Sequence, residues 1–152
     1  MNIVTIPNPI LRKKVSQVTI EEIQNSSLSE TLLDMRKTMH DNGGVGIAAN
    51  QVNLNKAIFV IDEKLAAEYE CPDVFINPEI TEYSKDADEM EEGCLSIPGE
   101  TFYITRSKKI KIKAIDGQGN KFKLTAKGYL ARVLQHETDH LNGILITDRA
   151  RS

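Results

Sequence analysis

His136-Glu137-Thr138-Asp139-His140 sets two imidazoles four residues apart, with a carboxylate directly after the first. On a helix this spacing puts both rings on one face about a turn apart, so they can share one metal ion. Glu137, next to the first ring, is badly placed to ligate but can reach a water on the metal, the position of a general base. The bland alternative is two satisfied core histidines beside a surface glutamate, and it fits poorly in a chain with only three histidines. The residues point to a metal-dependent hydrolase.

A catalytic site of the zinc type has three protein ligands and one open position, so a third ligand must come from elsewhere. Cys94 is the best candidate. It lies in Glu91-Glu92-Gly93-Cys94-Leu95-Ser96-Ile97-Pro98-Gly99, where glycine and proline bound a sharply turning segment that could present a thiolate and a free backbone N–H. Cys71, beside Pro72, lacks such surroundings and is expected to be inert. His40 competes as a ligand. It stands near the end of a predicted helix, however, where a histidine commonly meets the terminal carbonyls, so a structural role is expected. After His140 only Asp148 could ligate.

Tyr129 and Val133 share a helical face with His136 and His140, so they could wall an apolar pocket or simply belong to the core. Gly44-Val45-Gly46-Ile47-Ala48-Ala49-Asn50-Gln51 lets another segment or a substrate approach the backbone closely and ends in an amide donor. Alone it is a weak signal, since glycines after a helix usually form a cap and a loop.

The elements that must position these residues are legible in outline. Leu28, Leu32, Met35 and Met39 recur at helical spacing, Ser27 and Glu30 fit a capping box, and Gly43-Gly44 ends a helix expected to run about three turns. Segments 57–62, 74–83 and 102–115 are rich in Ile, Val, Phe and Tyr and read as strands. Ile110 and Ile112 alternate with lysines, so one face there is wet. A turn at Asp116-Gly117-Gln118-Gly119-Asn120 leads back through Phe122 and Leu124 as a hairpin, and a last helix is expected over residues 127–141, stopped by Asn142-Gly143. The order of elements predicts an α+β fold: one domain over residues 1–152, with mainly antiparallel sheets packed around a C-terminal helix that bears the metal motif.

With 152 residues the chain can bury one core but not two. A net charge of −3 and scattered Lys and Arg argue against nucleic acid as a direct substrate. Apolar runs are too short to span a membrane. Two cysteines and the absence of a signal-peptide pattern point to the cytoplasm.

Taken together, Gly44 to Gln51, Glu92-Gly93-Cys94-Leu95-Ser96 and Gln135-His136-Glu137-Thr138-Asp139-His140-Leu141 resemble the three motifs of the peptide deformylases, in order and wording. The likeness extends from Ile6-Pro7-Asn8-Pro9 and Leu11-Arg12 to Gly143-Ile144-Leu145. It implies removal of the formyl group from N-terminal formyl-methionine of nascent polypeptides, with ferrous iron as metal. The ligands alone suit zinc, nickel or cobalt as well. The resemblance implies Cys94, His136 and His140 as metal ligands and Glu137 as base and then acid. It makes the Gln51 amide and the Leu95 backbone N–H the oxyanion donors. Val45, Tyr129 and Val133 would hold the methionine side chain, and Gly46 would bond the peptide backbone. It also implies a monomer with transient ribosome contact. Ile47 departs from the commoner leucine, and only 12 residues follow His140, short of the C-terminal helix through which many bacterial members would dock.

A small zinc peptidase is the main rival, since the same helical motif serves peptide-bond hydrolysis in unrelated folds. Such peptidases take their third ligand after the motif, whereas here Cys94 lies upstream. A closed metal-binding or sensor site would need a fourth ligand, and none is convincing.

Overall fold

A computed structural model describes residues 1–150. Its centre is a five-stranded antiparallel sheet in the order β1-β2-β3-β6-β7, formed by β1 (Gly46–Ala48), β2 (Ile58–Ile61), β3 (Val74–Tyr83), β6 (Lys109–Ile115) and β7 (Lys121–Lys127). β4 (Ala87–Cys94) and β5 (Ile97–Ser107) pair as a separate two-stranded sheet. The helices are α1 (Ile20–Gln24), α2 (Ser26–Asp41), α3 (Glu63–Glu68), α4 (Gly128–Leu141) and α5 (Ile146–Arg149).

At β2 the large sheet is covered on both faces, which is why this strand reads as an unbroken apolar run and is buried throughout. Phe59 and Ile61 point to the side of α4 and join Phe75, Ile110, Ile112, Leu130, Ala131 and Leu134. Ile58 and Val60 point the other way, against Leu28, Leu32, Met35 and Met39 of α2. Phe59 and Phe75 stack with centroids 4.8 Å apart in the layer under α4. A third cluster, Leu11, Ile97, Ile104, Leu145 and Ile146, ties the small sheet to the chain ends.

The α+β class and the antiparallel pairing are as the sequence predicts, and β3 and the β6–β7 hairpin fall where expected. Several details differ. α2 has 16 residues and is capped by Asn25, whose side chain accepts the Ser27 N–H at 2.9 Å, so the expected Ser27–Glu30 box does not form. The capping box belongs instead to α1, between Thr19 and Glu22. Segment 102–115 is two strands in different sheets, broken at Lys108. β4 is exposed and acidic, so it carries no apolar signal, and the brief helix α3 also escaped the periodicity.

Candidate functional site

α4 begins at a left-handed glycine, Gly128 (φ 60°), and is buried along most of its length. Its burial forces the polar residues of the motif into the interior, where they need partners. Asn50, in the short helical turn Ala49–Val52, donates to the His140 carbonyl at 2.5 Å and so ties the end of α4 to the segment after β1.

Cys94 lies at the end of β4, facing α4 across the β4–β5 turn. The donor atoms of Cys94, His136 and His140 all lie within 4.8 Å of one another, and Cys94 Sγ is 3.3 Å from His140 Nε2. Ligands bonded at 2.0–2.3 Å to one tetrahedral ion stand about 3.3–3.8 Å apart, so this donor set fits a single divalent cation. Burial holds the His140 ring well below its ordinary pKa, which keeps it neutral as a ligand must be.

His136 is aimed by a residue to which the sequence reading gave no role. Glu92 Oε1 lies 2.9 Å from His136 Nδ1, leaving Nε2 for the site. Glu92 in turn accepts from Arg106 at 2.7 and 3.0 Å and from Arg132 at 2.5 Å, and Arg106 continues to Asp139 at 2.9 Å. Burial alone would raise the Glu92 carboxyl, but the hydrogen bonds from His136 and Arg106 outweigh it and bring it down to about 2. Glu92 and Asp139 sit inside the recognised motifs, which was the available signal. The two arginines come from β5 and α4; Arg132 lies in the apolar run Leu130 to Leu134, but nothing in the sequence pairs either arginine with Glu92.

Glu137 is 3% exposed, and its Oε2 lies 4.0 Å from His136 Nε2. Its Oε1 is buried with no hydrogen-bond partner among the described residues. Burial pushes its carboxyl up to about 7, against the opposing pull of His136 and Arg106, which suits a group that must exchange a proton near neutral pH.

Gln51 is oriented by its own backbone neighbourhood. Its side-chain oxygen accepts the Ala48 N–H at 3.0 Å, so the amide nitrogen points to Ser96 Oγ at 3.2 Å and Cys94 Sγ at 3.6 Å. Leu95 occupies the first position of the two-residue turn between paired Cys94 and Ile97, where its N–H lies outside the strand ladder.

These groups open into a cleft of about 600 Å³. Val45, Gly46, Tyr129 and Val133 line it, with Gln51, Cys94, Leu95, His136 and Glu137; Met90, Ile97 and Arg132, not anticipated, do so too. Val133 is buried, whereas Tyr129 is 44% exposed at the mouth, so the stripe faces the cleft and not the core at that end. Gly44 and Gly46 are closely packed: a Cβ on Gly44 would stand 2.8 Å from Leu95 Cδ1, so that side chain would have to shift.

The remaining candidates stand elsewhere. The expected contact of the His40 ring with the terminal α2 carbonyls is not made; its Nε2 pairs instead with Glu63 Oε2 at 2.8 Å on the surface. The short C-cap contacts are made by Asn42 instead. Asp148 pairs with Arg12 and accepts the Leu145 N–H, away from the cleft. Cys71 is half-buried and its thiol is raised to about 11 by burial, in keeping with an inert residue.

Comparison with known proteins gives one answer. The sequence model of the polypeptide deformylase family matches residues 1–152. The peptide deformylase of Pseudomonas aeruginosa is 43% identical over 148 residues, covering 97% of this chain and 85% of the relative. The crystal structure of peptide deformylase from Thermotoga maritima superposes with a TM-score of 0.90 at 40% identity, over 99% of this chain and 97% of that one. A class I type b peptide deformylase from Acinetobacter baumannii with bound Met-Ala-Ser superposes at 0.88 and 33% identity, over 98% and 97%. Sequence and fold agree along the whole matched length, and the chain belongs to the polypeptide deformylase family.

Proposed function

We propose that this chain hydrolyses the formamide bond of N-formylmethionyl peptides, with Cys94, His136 and His140 holding the metal and Glu137 moving the proton. Deformylation of nascent polypeptides is the activity of the family, and the observation that carries the residue assignment is the convergence of one thiol and two imidazoles, with a buried, unpartnered carboxylate oxygen, where Cys94, His136 and Glu137 line one cleft.

A divalent ion there supplies Lewis acidity, polarising a carbonyl oxygen and acidifying water. Ferrous iron is the metal we favour from the family likeness, with zinc, nickel or cobalt able to occupy the same donor set. Glu137 takes a proton from the attacking water as its oxygen adds to the formyl carbon. The Gln51 amide and the Leu95 N–H donate to the oxygen that becomes negative. The C–N bond then breaks, the electron pair leaves with nitrogen, and Glu137 returns the proton to it, giving formate and a free amine.

Val45, Tyr129 and Val133 offer an apolar wall for the methionine side chain, and Gly46, at the edge of the sheet, can bond an extended peptide. The Met-Ala-Ser complex of the Acinetobacter relative supports a peptide running through this cleft. The family likeness favours action as a monomer, and a nascent substrate would have the work done in the cytoplasm, in transient contact with the ribosome. No helix among the described residues is long and apolar enough to cross a membrane.

The test is to incubate the iron-loaded protein with formyl-Met-Ala and, separately, with unformylated peptides, and to assay formate and peptide-bond cleavage. Formate from the first alone is expected. Cleavage of peptide bonds without formate would overturn the assignment in favour of a peptidase.

A further inference from the structure

Lysines that look scattered along the chain are gathered by the register of the β6–β7 hairpin. Lys109, Lys111 and Lys113 on β6 and Lys121, Lys123 and Lys127 on β7 are all exposed and share the solvent face, because residues two apart on a strand point the same way. Lys109 stands opposite Lys127 and Lys113 opposite Lys123. On the β3 side, Glu82 pairs with Lys111 at 2.9 Å and Glu79 with Lys113 at 3.4 Å. Lys109, Lys121, Lys123 and Lys127 have no ion-pair partner among the described residues.

Sheet stability does not account for this arrangement, since like charges directly opposed across strands weaken the pairing. Lysines on an edge strand do discourage unwanted strand addition, and β7 is an edge. That purpose needs no lysine on the inner strand β6, where Lys109 adds to the same patch. In a chain whose net charge is −3, such a concentration is a local feature.

We propose that this face docks the phosphate backbone of RNA. Successive lysines on one strand are about 7 Å apart, the scale of the step between phosphates in an extended strand, and the two rows form a flat cationic track. The face carries no aromatic side chain, since Phe122 packs toward the core and Thr125 is the other exposed β7 residue. Bases therefore find nothing to stack on or read, and contact is with phosphate alone. The one apolar side chain on this face of the hairpin, Ile115 opposite Lys121, is part-buried against the α2 cluster, which leaves little apolar surface for a lipid layer to take up. The family acts on newly made polypeptides, and RNA is the polyanion beside which they arise. Lys127 is two residues from Tyr129, so the track ends next to the mouth of the cleft.

The probe is a fluorescent oligouridylate of about 15 nucleotides, titrated with the metal-loaded protein at about 50 and 200 mM salt, with phosphatidylglycerol vesicles in parallel. Four phosphate contacts to a single strand predict roughly 50-fold weaker binding at the higher salt. Substituting Lys109→Gln, Lys121→Gln and Lys123→Gln together should remove most of the affinity and most of the salt dependence, while turnover of free formyl-Met-Ala is unchanged. A charge-matched variant at exposed positions elsewhere, Lys13→Gln, Lys14→Gln and Lys64→Gln, should bind like the parent. No binding at the lower salt, equal loss in the two variants, or capture by vesicles in place of RNA would each overturn the proposal.

Discussion

A methyl group on Gly46 would stand 2.7 Å from Glu137 Oε2. β1 and α4 thus approach so closely that the glycine hydrogen is what leaves room for the carboxylate. β1 is held by its pairing with β2, Gly46 opposite Ile61, so in Gly46→Ala the side chain of Glu137 must yield. A displacement of about 1 Å at a proton-transfer group lowers kcat on the order of 100-fold, with metal content unchanged by atomic absorption. An alanine variant with full kcat would show that this contact does not position the base.

Glu137→Ala should keep its metal and lose nearly all turnover, because proton transfer by a placed side chain contributes roughly 10²- to 10⁴-fold. Metal content and formate release are measured on the same sample. Loss of metal from this variant would make Glu137 a ligand and not a base.

Gln51→Ala removes the donor that the Ala48 N–H holds in place. A lost oxyanion donor lowers kcat by about 10²- to 10³-fold, so the fall should appear in kcat and not as a raised KM. A pure KM effect would reassign Gln51 to substrate binding.

Glu92→Gln leaves Arg106 and Arg132 buried without their shared carboxylate, and breaking a buried ion pair costs about 3–5 kcal/mol. The Glu92 carboxyl titrates at about 2 in the folded protein against 4.5 ordinarily. Its stabilisation is therefore complete above about pH 4.5 and lost as the pH falls toward 2. Denaturant melts across that range should show the parent losing this advantage while the variant, lacking the group, has none to lose. Parallel curves would mean that Glu92 is not ionised in the network.

Gly143→Ala should destabilise by at least ~1 kcal/mol, since Gly143 has φ 75° and a Cβ there would lie 2.5 Å from the Arg12 carbonyl oxygen. Thermal melting checks this, and an unchanged Tm would mean that the chain after α4 relaxes freely.

Much of the site is local and therefore legible in the chain itself. The four-residue spacing of His136 and His140, with Glu137 between, already points to a metal site and a base because helix geometry alone brings the rings together. The alternation of Ile110 and Ile112 with lysines states a half-wet strand for the same kind of reason, since the strand period is two. Other features are products of long-range packing. That Cys94 and not His40 stands against the imidazoles depends on the β4–β5 hairpin folding over α4, and the acidic, exposed β4 has no pattern to announce it. The role of Glu92 depends on Arg106 and Arg132 being buried beside it, which their charge disfavours and their pairing with Glu92 permits. The cationic track likewise exists only once register sets Lys109 across from Lys127. Sequence by itself determined the chemistry, because reactive groups within a few residues obey fixed local periods; tertiary structure decided which distant groups tune and address it, because those contacts are set by burial and pairing between elements far apart in the chain.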